Sequence, residues 1–291
     1  MIYIFLSVCC SVLVSVLLKL ARRYQINVVQ AITWNYSMAA LLTWFFLKPD
    51  LEKITYAPNI IYTSLGILLP SIFFVMAISV RVAGIVRTDV AQRLSLLISL
   101  SAAFLLFGDA VTSLKAVGII MGFVAIACLI PWQKRHGISG NKGNYYWVYL
   151  LLVFLGFGLI DILFKQMALD KSVPYTTALF EVYILSFAVS VIGLLYQVFV
   201  KKRRFYFRYI FFGSILGIAN FGNILFYLKA HQNLSQNPGT VFTAMNIGVI
   251  AAGTIVGAAI FKEKLSKLNI AGVALAIVAI AVIAYSTSHA V

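Results

Sequence analysis

Apolar runs of about 20 residues recur along the chain, interrupted by short clusters of charge, proline and glycine. They predict ten helical spans, at 2 to 21, 28 to 47, 60 to 80, 86 to 107, 113 to 131, 146 to 166, 175 to 199, 208 to 229, 238 to 261 and 267 to 286. With a rise of about 1.5 Å per residue, each run is long enough to cross a hydrocarbon core roughly 30 Å thick. Such runs do not fit the alternation of roughly ten-residue strands in an outer-membrane barrel. The connections are short, and the longest, "QKRHGISGNKGN" at 133 to 144, is the natural seam between two halves. The expected fold is an all-α membrane protein with ten transmembrane helices: a first five-helix repeat at 1–132, a connecting loop at 133–145 and a second five-helix repeat at 146–291. The first run, from Ile2, lacks a basic leader and a small-residue cleavage site, so it reads as a retained helix.

The halves echo each other. Phe107, Asp109, Leu114 and Gly118 fall on Phe261, Glu263, Leu268 and Gly272 at a constant offset of 154, and Lys19 and Asn35 fall on Lys165 and Glu181 at an offset of 146. With an odd number of spans per half, the second half enters the membrane from the opposite side, which makes the repeat inverted. The closing segments "FGDAVTSLKAVGIIMG" and "FKEKLSKLNIAGVALA", each with an acidic residue ahead of a glycine-bearing helix, resemble the EamA-type members of the drug/metabolite transporter superfamily. The resemblance implies a basket of ten helices around a central cavity, with the fifth and tenth at the periphery, and transport of small metabolites or drugs. It implies no particular substrate.

Composition agrees with a bilayer setting: 62% of the 291 residues are hydrophobic, 11% are charged and the mean hydropathy is +0.99. Soluble domains carry about 25% charged residues. Cys9, Cys10 and Cys128 all lie in apolar runs, where they read as small packing residues rather than a metal or disulfide framework. Spans five and ten carry no ionisable side chain between Lys115 and Pro131 or between Lys267 and Tyr285. The pairs Gly118/Gly122, Gly272/Ala276, Gly213/Gly217 and Gly253/Gly257 have the spacing for close helix approach, within a monomer or across a homodimer.

Ionisable side chains inside a bilayer are costly, so each needs a partner, water or a use. Let side B be the side reached after span 1, and side A the side that holds both termini. Counting inward from the loops, Arg93 and Asn35 lie roughly 10 Å below side B, and Glu181 roughly 10 Å below side A. Asp161 on the preceding antiparallel helix is expected near Glu181, with Asn246 at a similar level, Asn220 near the midplane and Asn223 just beyond it. These polar groups flank the membrane centre from both faces, as a substrate site between inverted repeats requires. Arg93, Asn35, Glu181, Asn220, Asn223 and Asn246 are the candidate substrate-binding residues. The i, i+4 spacings Asp89/Arg93 and Asp161/Lys165 equally suit ion pairs along one helix face. Arg87, Lys19 and Lys229 suit side chains that snorkel to the interface. Glu181 has no basic neighbour on its own helix; because burial disfavours a charged carboxylate, Glu181, with Asp161, is the candidate proton carrier. Arg93 is the candidate for orienting an anionic substrate group.

The net charge of +15 is concentrated in side-B loops: "KKRRFYFR" at 201 to 208, Arg22/Arg23, Arg81, Lys134/Arg135/Lys142 and Lys262/Lys264/Lys267. The positive-inside rule then places side B in the cytoplasm, with both termini outside, whereas the resembled family usually has its termini inside. Charge spread over loops that orient spans does not describe a nucleic-acid surface. His136, His231 and His289 are scattered without metal-ligand spacing, and no catalytic motif or nucleotide-binding loop is present, so neither an enzyme nor a cofactor is expected. "NLS" at Asn233 matches a glycosylation triplet of the kind that arises by chance. Three functions remain. The first is a secondary transporter of a small polar or amphipathic metabolite in a bacterial plasma membrane, coupled to protons or working by exchange. The others are a flippase or carrier for phosphorylated sugars or lipid-linked groups, and a non-transporting membrane subunit.

Overall fold

The computed structural model describes residues 1–53, 59–110, 112–129, 145–261 and 266–288. Among these residues it has eleven α-helices: α1 (Ile2–Arg23), α2 (Val28–Leu42), α3 (Ile60–Val82), α4 (Ile85–Leu94), α5 (Leu96–Leu105), α6 (Ser113–Leu129), α7 (Tyr146–Leu169), α8 (Tyr175–Leu195), α9 (Arg208–Asn233), α10 (Pro238–Phe261) and α11 (Lys267–Ser288). Seven of the described helices are long and apolar enough to cross a membrane, α1, α3 and α7 to α11, which makes the chain an integral, multi-pass membrane protein. The expected seam at 133–145 lies outside the described residues except for Tyr145, as do Glu263, His136, His289 and the basic residues Lys134, Arg135, Lys142, Lys262 and Lys264.

Local chemistry sets the helix ends. Asn27 Oδ1 accepts from Val29 N (3.0 Å) to start α2, and Asn59 Oδ1 accepts from Ile61 N (2.9 Å) to start α3, each satisfying an orphan first-turn donor. Ser266 and Asn269 cap α11 reciprocally, Ser266 N donating to Asn269 Oδ1 (3.0 Å) and Asn269 N to Ser266 Oγ (3.1 Å). Pro238 opens α10, where a missing N–H costs nothing. Both α2 and α8 close in a five-residue π-helical turn, Thr43–Leu47 and Tyr196–Val200.

Seven of the ten expected spans fall on helices of spanning length among the described residues; spans two, four and five fall on shorter ones, and span four departs most. The run 86 to 107 reads as one continuous helix, but the structure divides it at Ser95 into α4 and α5. Ser95 Oγ donates back to Gln92 O, and such a bond competes with the helical ladder and bends it. Hydropathy carries no record of this break.

The helices pack through small residues. α2 lies along α9, α1 against α9 and α10, α3 against α7 and α8, and α6 against α11. A Cβ at Gly213 would sit 2.7 Å from Ala31 O, and one at Gly217 would sit 2.6 Å from Asn35 O, so only glycine lets α2 approach α9 this closely. Gly118 meets Ile283, Gly122 meets Ile247 and Gly272 meets Cys128, so these small residues serve packing within the monomer. The pair Gly253/Gly257 differs, because Gly253 has open space around it. Gly217→Val is accordingly expected to lower stability by about 1–3 kcal/mol, because the obstacle is a backbone carbonyl that cannot rotate away. Gly253→Ala should leave stability unchanged. Thermal unfolding midpoints in detergent decide this, and equal midpoints for the two variants would refute the packing role of Gly217.

Candidate functional site

The close approach of α2 and α9 has a chemical consequence. Asn35 is on α2 beside the Gly217 contact, and Asn220 is one helical turn beyond Gly217 on α9, so both amides face one crevice. Val14, Leu18, Ile32, Phe73 and Leu216 complete its lining from α1, α2, α3 and α9. Asn35 is 3% exposed and Asn220 5%, yet Asn35 Oδ1 and Asn220 Nδ2 are buried without a hydrogen-bond partner. An unsatisfied buried polar atom costs about 1–3 kcal/mol, so an acceptor and a donor left open on one crevice call for a partner, and its volume of about 10 Å³ admits no more than a single water in this conformation.

The remaining candidates do not line this crevice. Asn223 is tied to α1, its Oδ1 and backbone O both accepting from Ser7 Oγ at 2.9 Å. Asn246 Nδ2 donates to Phe242 O on its own helix (3.1 Å). Arg93 Nε lies 3.5 Å from Asp89 Oδ1, so the expected i, i+4 ion pair forms; the arginine side chain is 13% exposed and the aspartate 40%. Arg87 is exposed and lies over the Tyr146 ring, 5.3 Å from its centroid, in keeping with an interfacial residue.

Two expectations are corrected. Asp161 and Lys165 do not pair along α7. Asp161 Oδ2 accepts from Ser99 Oγ of α5 (2.7 Å) and Oδ1 from Tyr227 OH of α9 (2.9 Å), while Lys165 Nζ donates to Ser235 O (2.6 Å). Two hydroxyls from facing helices capture the carboxylate, and the amine turns to a free carbonyl in the α9–α10 connection. Nor does Glu181 meet Asp161. α7 and α8 follow each other in sequence but both pack on α3, and Glu181 is half-buried with Tyr62 of α3 in electrostatic reach.

At side A, a set of polar ties escaped the sequence reading. Lys115 pairs with Asp109, both side chains being buried, and Lys115 Nζ also donates to Asn237 Oδ1 (3.3 Å). Asp109 Oδ2 accepts from Gly239 N (2.7 Å). Thr112 bonds Ser286 (2.7 Å) and Thr240 bonds Thr287 (2.8 Å), which fastens α11 to the starts of α6 and α10. Nearby, Asp170 in the α7–α8 connection is held below the usual carboxylate range, first by the Ser172 hydroxyl and then by Tyr62 OH, which donates at 2.6 Å. His231, which stood apart in the sequence as one of three scattered histidines, is completely buried next to this region, and neither ring nitrogen has a partner.

No protein-family model matches the chain. A protein of Haemophilus influenzae, described as an uncharacterized protein, is 41% identical over 278 residues, spanning 92% of each chain. The chain belongs to the family of that protein. A crystal structure of a protein only 12% identical superposes with a TM-score of 0.77 over 99% of this chain and 96% of the other, a likeness of fold alone.

Proposed function

We propose that this family, and the chain within it, consists of secondary transporters that move a small, partly polar metabolite across a bacterial plasma membrane by alternating access. The observation that carries the reading is the Asn35–Asn220 crevice, where an unpartnered acceptor and an unpartnered donor face the same space between four helices. A substrate with one donor and one acceptor completes both amides, and the apolar lining suits an amphipathic molecule.

Packing supports the ten-span, inverted reading, with α4 and α5 taken as one broken span. Exchanging the first five spans for the second turns the contact of α1 with α9 into that of α7 with α3, and the contact of α2 with α9 into that of α8 with α3. The pairs α2/α8 and α6/α11 exchange with themselves, and both α2 and α8 end in the same π-helical turn. These features favour the resemblance to EamA-type drug/metabolite transporters. Glu181 and Asp161 remain the carboxylates available for coupling, and Arg93, held by Asp89, the cation available to an anionic substrate. The flippase reading asks for several cations converging on the crevice; Lys115 and Lys165 are instead tied to Asp109, Asn237 and Ser235 at side A.

The test is transport by purified protein in liposomes, offered a metabolite mixture with and without a pH gradient. Selective accumulation of one class of compound is expected. If folded, inserted protein moves nothing under either condition, the transporter reading fails.

A further inference from the structure

His231 occupies an unusual place. It lies on α9 at the side-A end, with no exposed surface and with both Nδ1 and Nε2 unpartnered. Its ring packs edge to face between Tyr227 (centroids 4.7 Å apart) and Phe242 of α10 (4.8 Å). Through Tyr227 it adjoins Asp161, whose carboxylate holds the tyrosine hydroxyl at 2.9 Å. From α7 it also faces Lys165, which is wholly buried, donates to Ser235 O and stands 6.0 Å from the Phe107 ring centroid. Asp109 is within electrostatic reach of Lys165, though its carboxylate is engaged by Lys115 and Gly239 N. Of the other helices against α9, α2 and α10 carry no charged side chain, and the described charged side chains of α1, Lys19 and Arg23, are at its far end. Tyr3 of α1 meets Lys229, whose Nζ is 5.7 Å from the ring centroid.

In this arrangement an imidazolium would point two N–H donors at no acceptor, beside an ammonium group. A buried cation without a partner is expensive, so the packed state holds the neutral ring. The same end of the bundle is fastened by the Lys115, Asp109, Lys165 and threonine ties, while the Asn35–Asn220 crevice lies between the middle of the bundle and side B. The structure is therefore shut toward side A. When those ties part, water reaches the ring and hydrates an imidazolium.

Resting on the alternating-access reading, we propose that the side-A ends of α5, α7, α9 and α10 form a proton-linked gate, in which His231 is neutral while the gate is closed and binds a proton when it opens. The sign follows from linkage. The open state holds one more proton, so acidification favours opening, by up to about tenfold per pH unit where that proton is taken up. An imidazole is the side chain whose ordinary titration spans physiological pH.

The gate can be watched without a substrate. Ala103 on α5 is completely buried and adjoins Gly239, so a cysteine there is sealed while the gate is closed. With Cys9, Cys10 and Cys128 replaced by serine, Ala103→Cys is labelled in liposomes by an impermeant maleimide, and its rate is divided by that of Lys171→Cys, an exposed site, to cancel the pH dependence of the thiol. The ratio should rise at least about fivefold on going from about pH 8 to about pH 5.5, and His231→Gln should flatten it. A ratio independent of pH, or one that still rises in His231→Gln, overturns the proton link. If Ala103→Cys stays sealed at every pH, alternating access itself falls, and the gate with it. Should His231→Gln not fold, the pH response of the protein with its native histidine still decides.

Discussion

Asp109→Asn is expected to destabilise the protein by about 3–5 kcal/mol, although the two side chains are nearly identical in shape. The amide still accepts from Gly239 N, but it leaves the Lys115 ammonium buried opposite a neutral group, and an uncompensated buried charge is far more costly than a lost hydrogen bond. Lys115→Met alone should do comparable harm for the opposite reason, since a buried carboxylate then keeps only one backbone donor. The double variant Asp109→Asn/Lys115→Met removes both charges together and should recover most of the loss, a coupling of at least about 3 kcal/mol in a double-mutant cycle. Unfolding midpoints of the four proteins in detergent measure it. Additive effects would show that the pair is no unit and that side A is held by other contacts.

The second large effect runs the other way. Asn35→Leu and Asn220→Leu each replace a side chain carrying an unpartnered buried atom, so stability should hold or rise, by up to about 1–3 kcal/mol. Transport should fall at least tenfold in each, since every substrate hydrogen bond lost in the crevice is worth about that much. Gain of stability with loss of activity is the signature of a site kept imperfect for its ligand. Unimpaired transport by Asn220→Leu would remove the crevice from the pathway. The activity arm uses whichever compound the liposome screen identifies, and the stability arm stands without it.

Legibility in the sequence followed the physics of each feature. Span positions follow from hydropathy, because a bilayer demands long apolar runs whatever they pack against. Asn35 and Asn220 stood out for the same reason, as amides where apolar residues belong. Their meeting did not, since it depends on Gly213 and Gly217 fitting against α2 across 170 to 190 residues of chain. The Asp89/Arg93 pair is local to one helix and was readable from spacing; Asp161/Lys165 has the same spacing but faces two hydroxyls from other helices, and tertiary partners decided. His231 was passed over because a histidine near a helix end looks ordinary until its neighbours are known. The break at Ser95 left no trace in a pattern that registers only polarity.

The packing of α6 on α11 bears on how the protein is made. The glycine-bearing face of α6, with Gly118 against Ile283, is matched by α11, which is synthesised only after α7 to α10. The chain from Leu129 to Ser288 takes on the order of ten seconds to synthesise, and for that time α6 waits in the membrane with a groove and no ridge to fill it. Completion of the packing around α6 is thus timed by the synthesis of α11. A chain truncated before Lys267 would leave the α6 groove open permanently.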